Sequence, residues 1–287
     1  MEPGVKAYFD QATNTFSYVV TDPSSNACAI IDPVLDYDPA SGRTSTASAD
    51  QLIDYVSENK LEVLWILETH VHADHLSSAR YVKSKTGGNT GISERIIEVQ
   101  AVFKPVFNLG DDFVANGEQF DRLLADEDRL ALGSLEIRVL QTPGHTPSCV
   151  TYVIGDAAFV GDTLFMPDFG TARTNFPGGD AATLYQSIQR VFQLPAETRL
   201  FMCHDYKAPG REEFAWQTTV AEERAGNVHV HDGVSEQEFV EFREGRDATL
   251  GMPKLILPAL QVNIRGGEMP PAEDNGIVYL KIPVDAL

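Results

Sequence analysis

Short apolar runs separated by polar turns recur along most of this chain. Runs of this length, bounded by Gly, Pro, Asn or Asp, are typical of buried strands. The sequence therefore predicts strands at Ala7–Phe9, Thr15–Val20, Ala27–Ile31, Leu61–Leu67, Leu135–Leu140, Val150–Ile154, Ala157–Val160 and Arg199–Cys203. Gly155-Asp156 joins two of these strands and is typical of a hairpin turn.

Apolar residues spaced three or four positions apart predict helices between the strands. A helix that starts at Ser48 has Gln51 three residues on, which is a weak capping box. Further helices are predicted at Leu76–Lys85, Ile92–Phe103 (a surface helix interrupted at Pro105), Ala181–Phe192, Glu212–Arg224 and Ser235–Arg243. The remaining segments are predicted as a loop at Asp36–Thr46, a turn at Thr86–Gly91 and an extended, proline-rich tail from Pro253.

The order of these elements predicts the fold class. Strands come in runs of two or three broken by helices, which is not the strict alternation of a parallel α/β fold. We expect an α+β fold in which two mixed sheets pack face to face with helices outside. Residues 1–252 would form this domain, and residues 253–287 would be a C-terminal extension packed on the same domain.

Composition excludes several classes of function. The 287 residues are 43% hydrophobic, enough for a substantial core, and Lys+Arg number 22 against 42 Asp+Glu, a net charge of -20. Such a charge argues against binding to nucleic acid or to an anionic membrane surface. The N-terminus lacks an apolar signal core, and no stretch reaches the roughly 20 apolar residues of a membrane span. Three cysteines are too few for a disulfide framework, so we expect a cytoplasmic protein.

Three histidines and an aspartate follow the strand Leu61–Leu67, within residues 70–75. Imidazole is the commonest metal ligand in proteins, so a plain solvated turn is the weaker interpretation. If strand geometry persists, His70 and His72 point the same way, because strand side chains alternate. Asp74 and His75 lie on the turn and can face a second point. The cluster can hold one metal ion or two adjacent ions.

Three further candidates share the same structural position, the end of a predicted strand. These are His145, Asp162 and His204. Strand ends on one rim of a sandwich converge, and loops there carry chemistry. Taken singly, they could be a turn residue, a cap and a half-buried histidine. Together with residues 70–75 they favour a metal site.

The motifs themselves resemble a known family. His-x-His-x-Asp-His (70–75), Thr-Pro-Gly-His-Thr (142–146), Gly-Asp-Thr-Leu-Phe (161–165) and a strand ending in His204 resemble the metallo-β-lactamase superfamily over residues 5 to 225. The resemblance implies an αββα sandwich with metal on one rim. Residues 169–176 and 204–206 are similar to the glutathione persulfide dioxygenases, the family of the ethylmalonic encephalopathy protein. The predicted helix Ile92–Phe103 and the long tail resemble the bacterial branch of that family. That family usually has Asp where this chain has Asn175.

The resemblance implies one Fe(II) per chain, held by His70, His145 and Asp162. Two histidines and one carboxylate are also the facial triad of non-haem Fe(II) oxygenases, which leaves positions for a persulfide sulfur and for O₂. Glutathione persulfide and O₂ would then yield sulfite and glutathione. The other residues of the motifs would be an outer shell or the remnant of a second metal site: His72, Asp74, His75 and His204.

A glutathione substrate needs cationic groups on this acidic chain. Arg173 is the best candidate, since guanidinium grips a carboxylate with two parallel bonds; it could instead pair with Asp168 or Asp180. Tyr206 matches the substrate-side tyrosine of the resembling family. Weaker candidates are Lys207, Arg211 and Arg265. Alternation with His204 predicts that Cys203 faces the core, and we assign Cys28, Cys149 and Cys203 no role in the mechanism.

Two rival functions remain open on the sequence. The first is a hydrolase of the glyoxalase II kind, with two zinc ions and a bridging hydroxide that attacks a thioester. The second is not an enzyme but a metal-bound or persulfide-sensing protein on the same fold. The resemblance is also compatible with a homodimer, and no rhodanese domain is expected in the chain.

Overall fold

The structure, a computed structural model, describes residues 2–286. Its strands are β1 (Gly4–Asp10), β2 (Thr15–Thr21), β3 (Ala27–Ile31), β4 (Val34–Asp38), β5 (Arg43–Ser45), β6 (Glu62–Leu67), β7 (Leu76–Ser77), β8 (Asn89–Ser93), β9 (Arg122–Leu124), β10 (Arg129–Leu132), β11 (Leu135–Gln141), β12 (Val150–Ile154), β13 (Ala157–Phe159), β14 (Arg199–Phe201) and β15 (Gln217–Thr219). Its helices are α1 (Ala47–Glu58), α2 (Ala79–Thr86), α3 (Ile96–Val106), α4 (Ala181–Val191), α5 (Val220–Gly226), α6 (Glu236–Asp247) and α7 (Ile256–Asn263).

Two six-stranded sheets form the centre of the molecule. Their strand orders are β1-β2-β3-β6-β8-β9 and β10-β11-β12-β13-β14-β15. Both sheets are mixed, because β3, β6, β8 and β9 pair in parallel in one and β13 pairs with β14 in parallel in the other. Side chains from both sheets, among them Tyr18, Ile31, Ile137 and Tyr152, form one buried cluster. This cluster is the core between the sheets.

Helices cover the outer faces of both sheets. Leu52 of α1 and Val82 of α2 pack with the outward residues of β2 and β3. On the other side, Ile188 of α4 and Phe239 of α6 pack with Leu200 of β14. The predicted αββα sandwich of the α+β class is therefore confirmed.

Residues 86–106 differ from the prediction. Asn89–Ser93 forms β8, so the predicted turn contains a strand and the predicted helix starts late, at Ile96. The apolar residues of a buried parallel strand lack alternation, which is why Ile92 fitted a helical period. The helix ends at Val106, one residue after Pro105. One of its faces is buried and the other is exposed, as expected for a surface helix.

The predicted loop at 36–46 is wrong. Its residues contribute to the strands β4 and β5, which pair in an antiparallel hairpin. The predicted capping box at Ser48 is also wrong, because α1 has Thr46 at its N-cap without a side-chain cap bond. The Ser48 hydroxyl donates instead to Asp36 Oδ1, at 2.6 Å. The Ser48 side chain therefore bonds to a residue of β4 instead of capping its own helix.

Two further predictions fail near the C-terminus. Residues 212–224 were expected to be one helix, but β15 precedes the short α5 there. The tail was expected to be extended from Pro253, yet it contains α7, whose Ile256 and Leu260 are buried. The strands β9 and β10 were not predicted at all.

No helix within residues 2–286 is long and apolar enough to cross a membrane.

Candidate metal centre

Strand ends of both sheets deliver the candidate ligands to one rim. The loop that carries His70 follows β6, and His145, Asp162 and His204 follow β11, β13 and β14. All four side chains are buried; even Asp162, the most accessible of them, is only 8% exposed. The predicted convergence of the motifs is therefore present in the fold.

His70, His145 and Asp162 form one compact group. Oδ2 of Asp162 lies 3.6 Å from Nε2 of His145 and 4.0 Å from Nε2 of His70. One ligand atom from each of the three residues lies within 4.8 Å of the others. Two imidazoles and one carboxylate around a common point can hold a divalent metal ion.

Hydrogen bonds fix the tautomers of both imidazoles. Thr69 Oγ1 donates its one proton to Asp32 Oδ2 (2.8 Å), so it accepts from Nδ1 of His70 at 3.1 Å. Nδ1 of His145 donates to the carbonyl oxygen of Arg173 at 2.7 Å. Both Nε2 atoms therefore present a lone pair toward Asp162, as metal-ligating histidines do.

The buried atoms of this group are suited to binding a cation. Within residues 2–286, Nε2 of His70 and Oδ1 of Asp162 are buried and have no hydrogen-bond partner. Burial, followed by the charge of His72, holds the pKa of His70 well below its usual range, so the ring is neutral and fit to bind metal. The residues present fit a divalent metal ion.

One ring nitrogen of His72, Nε2, is directed away from this group, while the other, Nδ1, is buried without a hydrogen-bond partner among the described residues. Nε2 lies 3.0 Å from Asp32 Oδ1 and 3.3 Å from Glu68 Oε2, and both carboxylates are buried. Among the described residues it does not belong to the group of His70, His145 and Asp162. Burial by itself would lower the pKa of His72, but Asp32 outweighs it and raises that pKa well above its usual range.

Asp74, His75 and His204 form a second group, which His72 also joins. Oδ2 of Asp74 lies 3.5 Å from Nδ1 of His75 and 3.3 Å from Nε2 of His204. Nε2 of His204 also lies 3.4 Å from Oδ1 of Asp162, which links the two groups. The carboxylates of Asp74 and Asp162 both face Nε2 of His204, and a proton or a metal ion is needed between them. This second group could therefore either surround the first metal ion without binding it or hold a second ion.

Two supporting acids were missed from the sequence. Asp32 accepts hydrogen bonds from the backbone N–H and the hydroxyl of Thr69, at 2.7 and 2.8 Å, as well as contacting His72. Glu68 accepts from the hydroxyl of Ser77 and contacts His72. The only signal for Asp32 was its place directly after an apolar strand, which an ordinary turn aspartate shares.

Cys203 lies against the centre rather than in the core between the sheets. Its thiol donates to Asp32 Oδ2 at 3.7 Å, and its sulfur groups with Asp162 and His204. The prediction from alternation is wrong because β14 ends at Phe201 and the chain bends before His204. Burial raises the pKa of the Cys203 thiol, which keeps it protonated.

A cavity of about 570 Å³ opens from the metal centre. Asp74, His145 and Asp162 line its inner end, and both predicted substrate residues, Arg173 and Tyr206, line its wall. The ring of Tyr206 lies beside that of Phe169, with centroids 5.3 Å apart and an interplanar angle of 33°. The cavity therefore joins an apolar aromatic wall to the candidate ligands.

Arg173 makes neither of the ion pairs considered from the sequence. Its Nε donates to Asn175 Oδ1 and its Nη1 to the carbonyl oxygen of Gly251, both at 2.6 Å. Asp168 instead pairs with Arg211, and Asp180 caps α4. These neutral partners hold the guanidinium at the cavity without neutralising its charge.

Two further cations at the cavity were missed. Arg246 of α6 and Lys254 line the cavity, are exposed, and form no ion pair within residues 2–286. Of the weaker candidates, Arg211 pairs with Asp168 and Asp205, and Lys207 and Arg265 lie over the rings of aromatic residues. Arg246 and Lys254 gave no sequence signal because they follow all the recognised motifs.

Comparisons with known proteins agree on the family. A model of the metallo-beta-lactamase superfamily matches residues 11–204. A probable metallo-hydrolase of Burkholderia pseudomallei is 56% identical over 99% of both chains. Glyoxylase B2 of Dictyostelium discoideum is 48% identical over 99% of this chain and 97% of that protein.

Persulfide dioxygenases are among the more distant relatives. The mitochondrial persulfide dioxygenase ETHE1 of Homo sapiens is 30% identical over 93% of this chain and 90% of that protein. The crystal structure of ETHE1 from Myxococcus xanthus superposes with a TM-score of 0.72 and 31% identity, over 92% of this chain and all of that one. The chain belongs to the metallo-beta-lactamase superfamily, and the ETHE1 persulfide dioxygenases are its homologues.

Proposed function

We propose that this protein is a mononuclear Fe(II) persulfide dioxygenase that acts on glutathione persulfide. One O₂ and one water are consumed, the terminal sulfur leaves as sulfite, and glutathione is released as the free thiol. The observation that carries the proposal is the separation of the ligands. His70, His145 and Asp162 converge on one point, while Nε2 of His72 is bonded to Asp32 and lies 3.3 Å from Glu68.

The donor set supports iron at this point. Two imidazoles and a carboxylate, with no third histidine among them, are the facial triad of Fe(II) oxygenases. Iron held there would supply the activation of O₂, which is chemistry that side chains alone do not provide. His70, His145 and Asp162 would hold it, and Thr69 and the carbonyl of Arg173 would keep both rings in the ligating tautomer.

The cavity supports an anionic thiol substrate. Glutathione carries two carboxylates, and three cations of the cavity wall can bind them: Arg173, Arg246 and Lys254. These cations offset the repulsion that a net charge of -20 imposes on an anion. The aromatic wall of Phe165, Phe169 and Tyr206 would exclude water beside the persulfide sulfur.

A zinc thioester hydrolase is the second candidate. The group of His72, Asp74, His75 and His204 favours it, because these residues could hold a second ion beside the first. The 48% identity to a protein named Glyoxylase B2 favours it as well. In that case a hydroxide between two zinc ions would attack a thioester carbonyl.

Oxygen uptake separates the two candidates. Fe(II)-loaded protein should consume O₂ when given glutathione persulfide and should release sulfite in proportion to enzyme. The Zn(II)-loaded protein, given S-lactoylglutathione, is the matched assay for the hydrolase. Thioester hydrolysis by protein with two zinc ions, without O₂ uptake by the iron form, would overturn the dioxygenase. Bound metal without either turnover would favour a binding or sensing protein.

Two variants test the separation of the ligands. His72→Gln keeps a donor toward Asp32, and we expect it to retain iron and substantial activity. His145→Gln removes a ligand, and we expect it to lose iron and activity together. Iron content and O₂ uptake are measured on both variants. Equal loss of iron from both would show that His72 is a ligand and contradict the mononuclear site.

A further inference from the structure

One side chain of the C-terminal segment is bonded to the loop that carries the metal ligands. Nδ2 of Asn263, at the end of α7, donates to the carbonyl oxygens of His72 and His75, both at 2.8 Å. Oδ1 of Asn263 accepts from the backbone N–H of Ser77, also at 2.8 Å. Asn263 is 4% exposed, so water does not compete for these bonds.

The side-chain amide of Asn263 supplies hydrogen bonds to two backbone carbonyl groups of the ligand loop, residues 68–75. Residues 68–75 form no helix or strand, and buried carbonyl groups that lose a partner destabilise the conformation that contains them. The chain after α7 also approaches the loop closely. A Cβ at Gly267, where φ is +83°, would lie 2.9 Å from the carbonyl oxygen of Ser77. The C-terminal segment therefore packs directly against backbone atoms at the end of the ligand loop.

The loop in turn is connected to the candidate ligands. Asp74, between the two carbonyls that Asn263 binds, contacts His204 at 3.3 Å, and His204 contacts Asp162 at 3.4 Å. A second path leads from Ser77, whose hydroxyl donates to Glu68, to His72. A shift of the loop would therefore move groups on both sides of Asp162.

We propose that Asn263 is a positioning residue of the metal centre, through which α7 sets the geometry of the ligand loop. This inference holds whether the centre carries iron or zinc and whichever reaction it catalyses. The carboxamide is needed because it donates two hydrogen bonds and accepts one. A carboxylate of the same size would place an oxygen against two carbonyl oxygens.

The test compares two amide-to-acid substitutions on one helix. Asn263→Asp removes both donors to the loop. The control, Gln261→Glu, changes an equally buried amide whose partners are Leu257 and Lys281 and not the ligand loop. Zn(II) affinity is measured by chelator competition, and the visible spectrum of Co(II)-loaded protein reports the coordination geometry. We expect Asn263→Asp to weaken Zn(II) binding at least about tenfold and to alter the Co(II) spectrum.

Gln261→Glu should leave both readouts as in the parent protein, even if it lowers the melting temperature. Asn263→Ser, which keeps one donor, should fall between the parent and Asn263→Asp. A folded Asn263→Asp variant with unchanged Zn(II) affinity and Co(II) spectrum would overturn the proposal. So would failure of both Asn263 variants to fold while Gln261→Glu folds, because Asn263 would then support the whole fold rather than the centre.

Discussion

Asp32 shows how one side chain can organise a metal centre without binding metal. Its two carboxylate oxygens accept from the backbone and hydroxyl of Thr69 and contact His72. The Thr69 hydroxyl then accepts from His70 and fixes the tautomer of that ring. One buried acid thus fixes the tautomer of His70 through Thr69 and holds Nε2 of His72.

Arg246 carries a prediction about substrate binding that rests on the proposed function. Arg246→Ala removes an unpaired cation from the cavity wall, and we expect KM for glutathione persulfide to rise about fivefold with kcat little changed. An exposed charge pair contributes up to roughly 1 kcal/mol, which sets this size. Steady-state oxygen uptake gives both constants.

The matched control for Arg246 is Arg190→Ala, which removes an arginine paired with Asp126 and Glu127 elsewhere on the surface. It should leave KM unchanged. A persulfide without carboxylates should show no difference between Arg246→Ala and the parent. An unchanged KM for glutathione persulfide in Arg246→Ala would contradict a role in binding its carboxylates.

Glu223 provides a prediction about pH. This side chain of α5 is fully buried; Asn227 donates to its Oε2 at 2.6 Å, and burial raises its pKa to about 8 from 4.5. Between these values the folded state retains a proton that the unfolded state has lost. Its contribution to stability is therefore complete below about pH 4.5 and decreases as pH rises to about 8.

Glu223→Gln replaces the acid by a group that does not titrate. We expect the free energy of unfolding of the variant, relative to the parent, to rise by about 1.4 kcal/mol for each pH unit between pH 5 and 7.5. Urea unfolding at several pH values measures this difference. The exposed Glu241→Gln is the control, and a difference independent of pH in Glu223→Gln would refute the assignment.

At the scale of elements, α6 supports the segment that carries Arg173. Arg243 is buried and pairs with Asp247 at 2.7 Å on the same helix. The second oxygen of Asp247 accepts from the backbone and hydroxyl of Thr174, at 2.7 and 3.0 Å. The carbonyl oxygen of the neighbouring Arg173 accepts a hydrogen bond from His145. Two hydrogen bonds, from Thr174 to Asp247 and from His145 to Arg173, therefore connect α6 to the metal centre.

Arg243→Met tests this support. The substitution leaves the buried carboxylate of Asp247 without its cation, and we expect the free energy of unfolding to fall by about 3–5 kcal/mol. Arg224→Met is the control, because Arg224 pairs with Asp232 at the surface and should cost less than about 1 kcal/mol. Urea denaturation compares the two. If both variants lost the same small amount of unfolding free energy, the buried pair of Arg243 and Asp247 would not be needed for stability.

At the scale of the whole molecule, the C-terminal segment is structurally continuous with the sandwich. Ile256, Leu260 and Ile264 pack in one buried cluster with Phe103 of α3 and Val71 of the ligand loop. Each such side chain contributes roughly 1.5–3 kcal/mol when buried. Their sum is comparable with the roughly 5–15 kcal/mol of an entire domain. The C-terminal segment therefore shares a buried cluster with the sandwich.

Two truncations test that continuity. A chain that ends at Met252 should lose cooperative thermal unfolding and metal binding, because it lacks α7 and Asn263. A chain that ends at Lys281 loses Ile282 and Val284, which are 75% and 80% exposed, and should behave as the full protein. Calorimetry and Zn(II) content are measured on both. Cooperative unfolding of the Met252 chain would contradict a dependence of the sandwich on the C-terminal segment.

Much of the sandwich could be predicted because its strands carry local signals. The hairpin around Gly155-Asp156 and the helix α4 were predicted within a residue or two, since period and turn residues lie within a few positions of each other. The failures occurred where a partner far along the chain decides the conformation. β8 is a buried parallel strand, and the hydroxyl of Ser48 bonds to Asp36 instead of capping α1.

The sequence by itself determined the fold class and the candidate ligand types, because each ligand sits at the end of a locally recognisable strand. Only the tertiary structure decided how they group. The bond from His72 to Asp32 spans 40 positions, and that from Asn263 to His72 spans 191. Periodicity in the sequence reports only neighbours within a few residues. The first of these bonds forms when β3 pairs with β6, and the second forms when α7 packs against the ligand loop. Tertiary packing also brings Arg246 and Lys254 to the cavity.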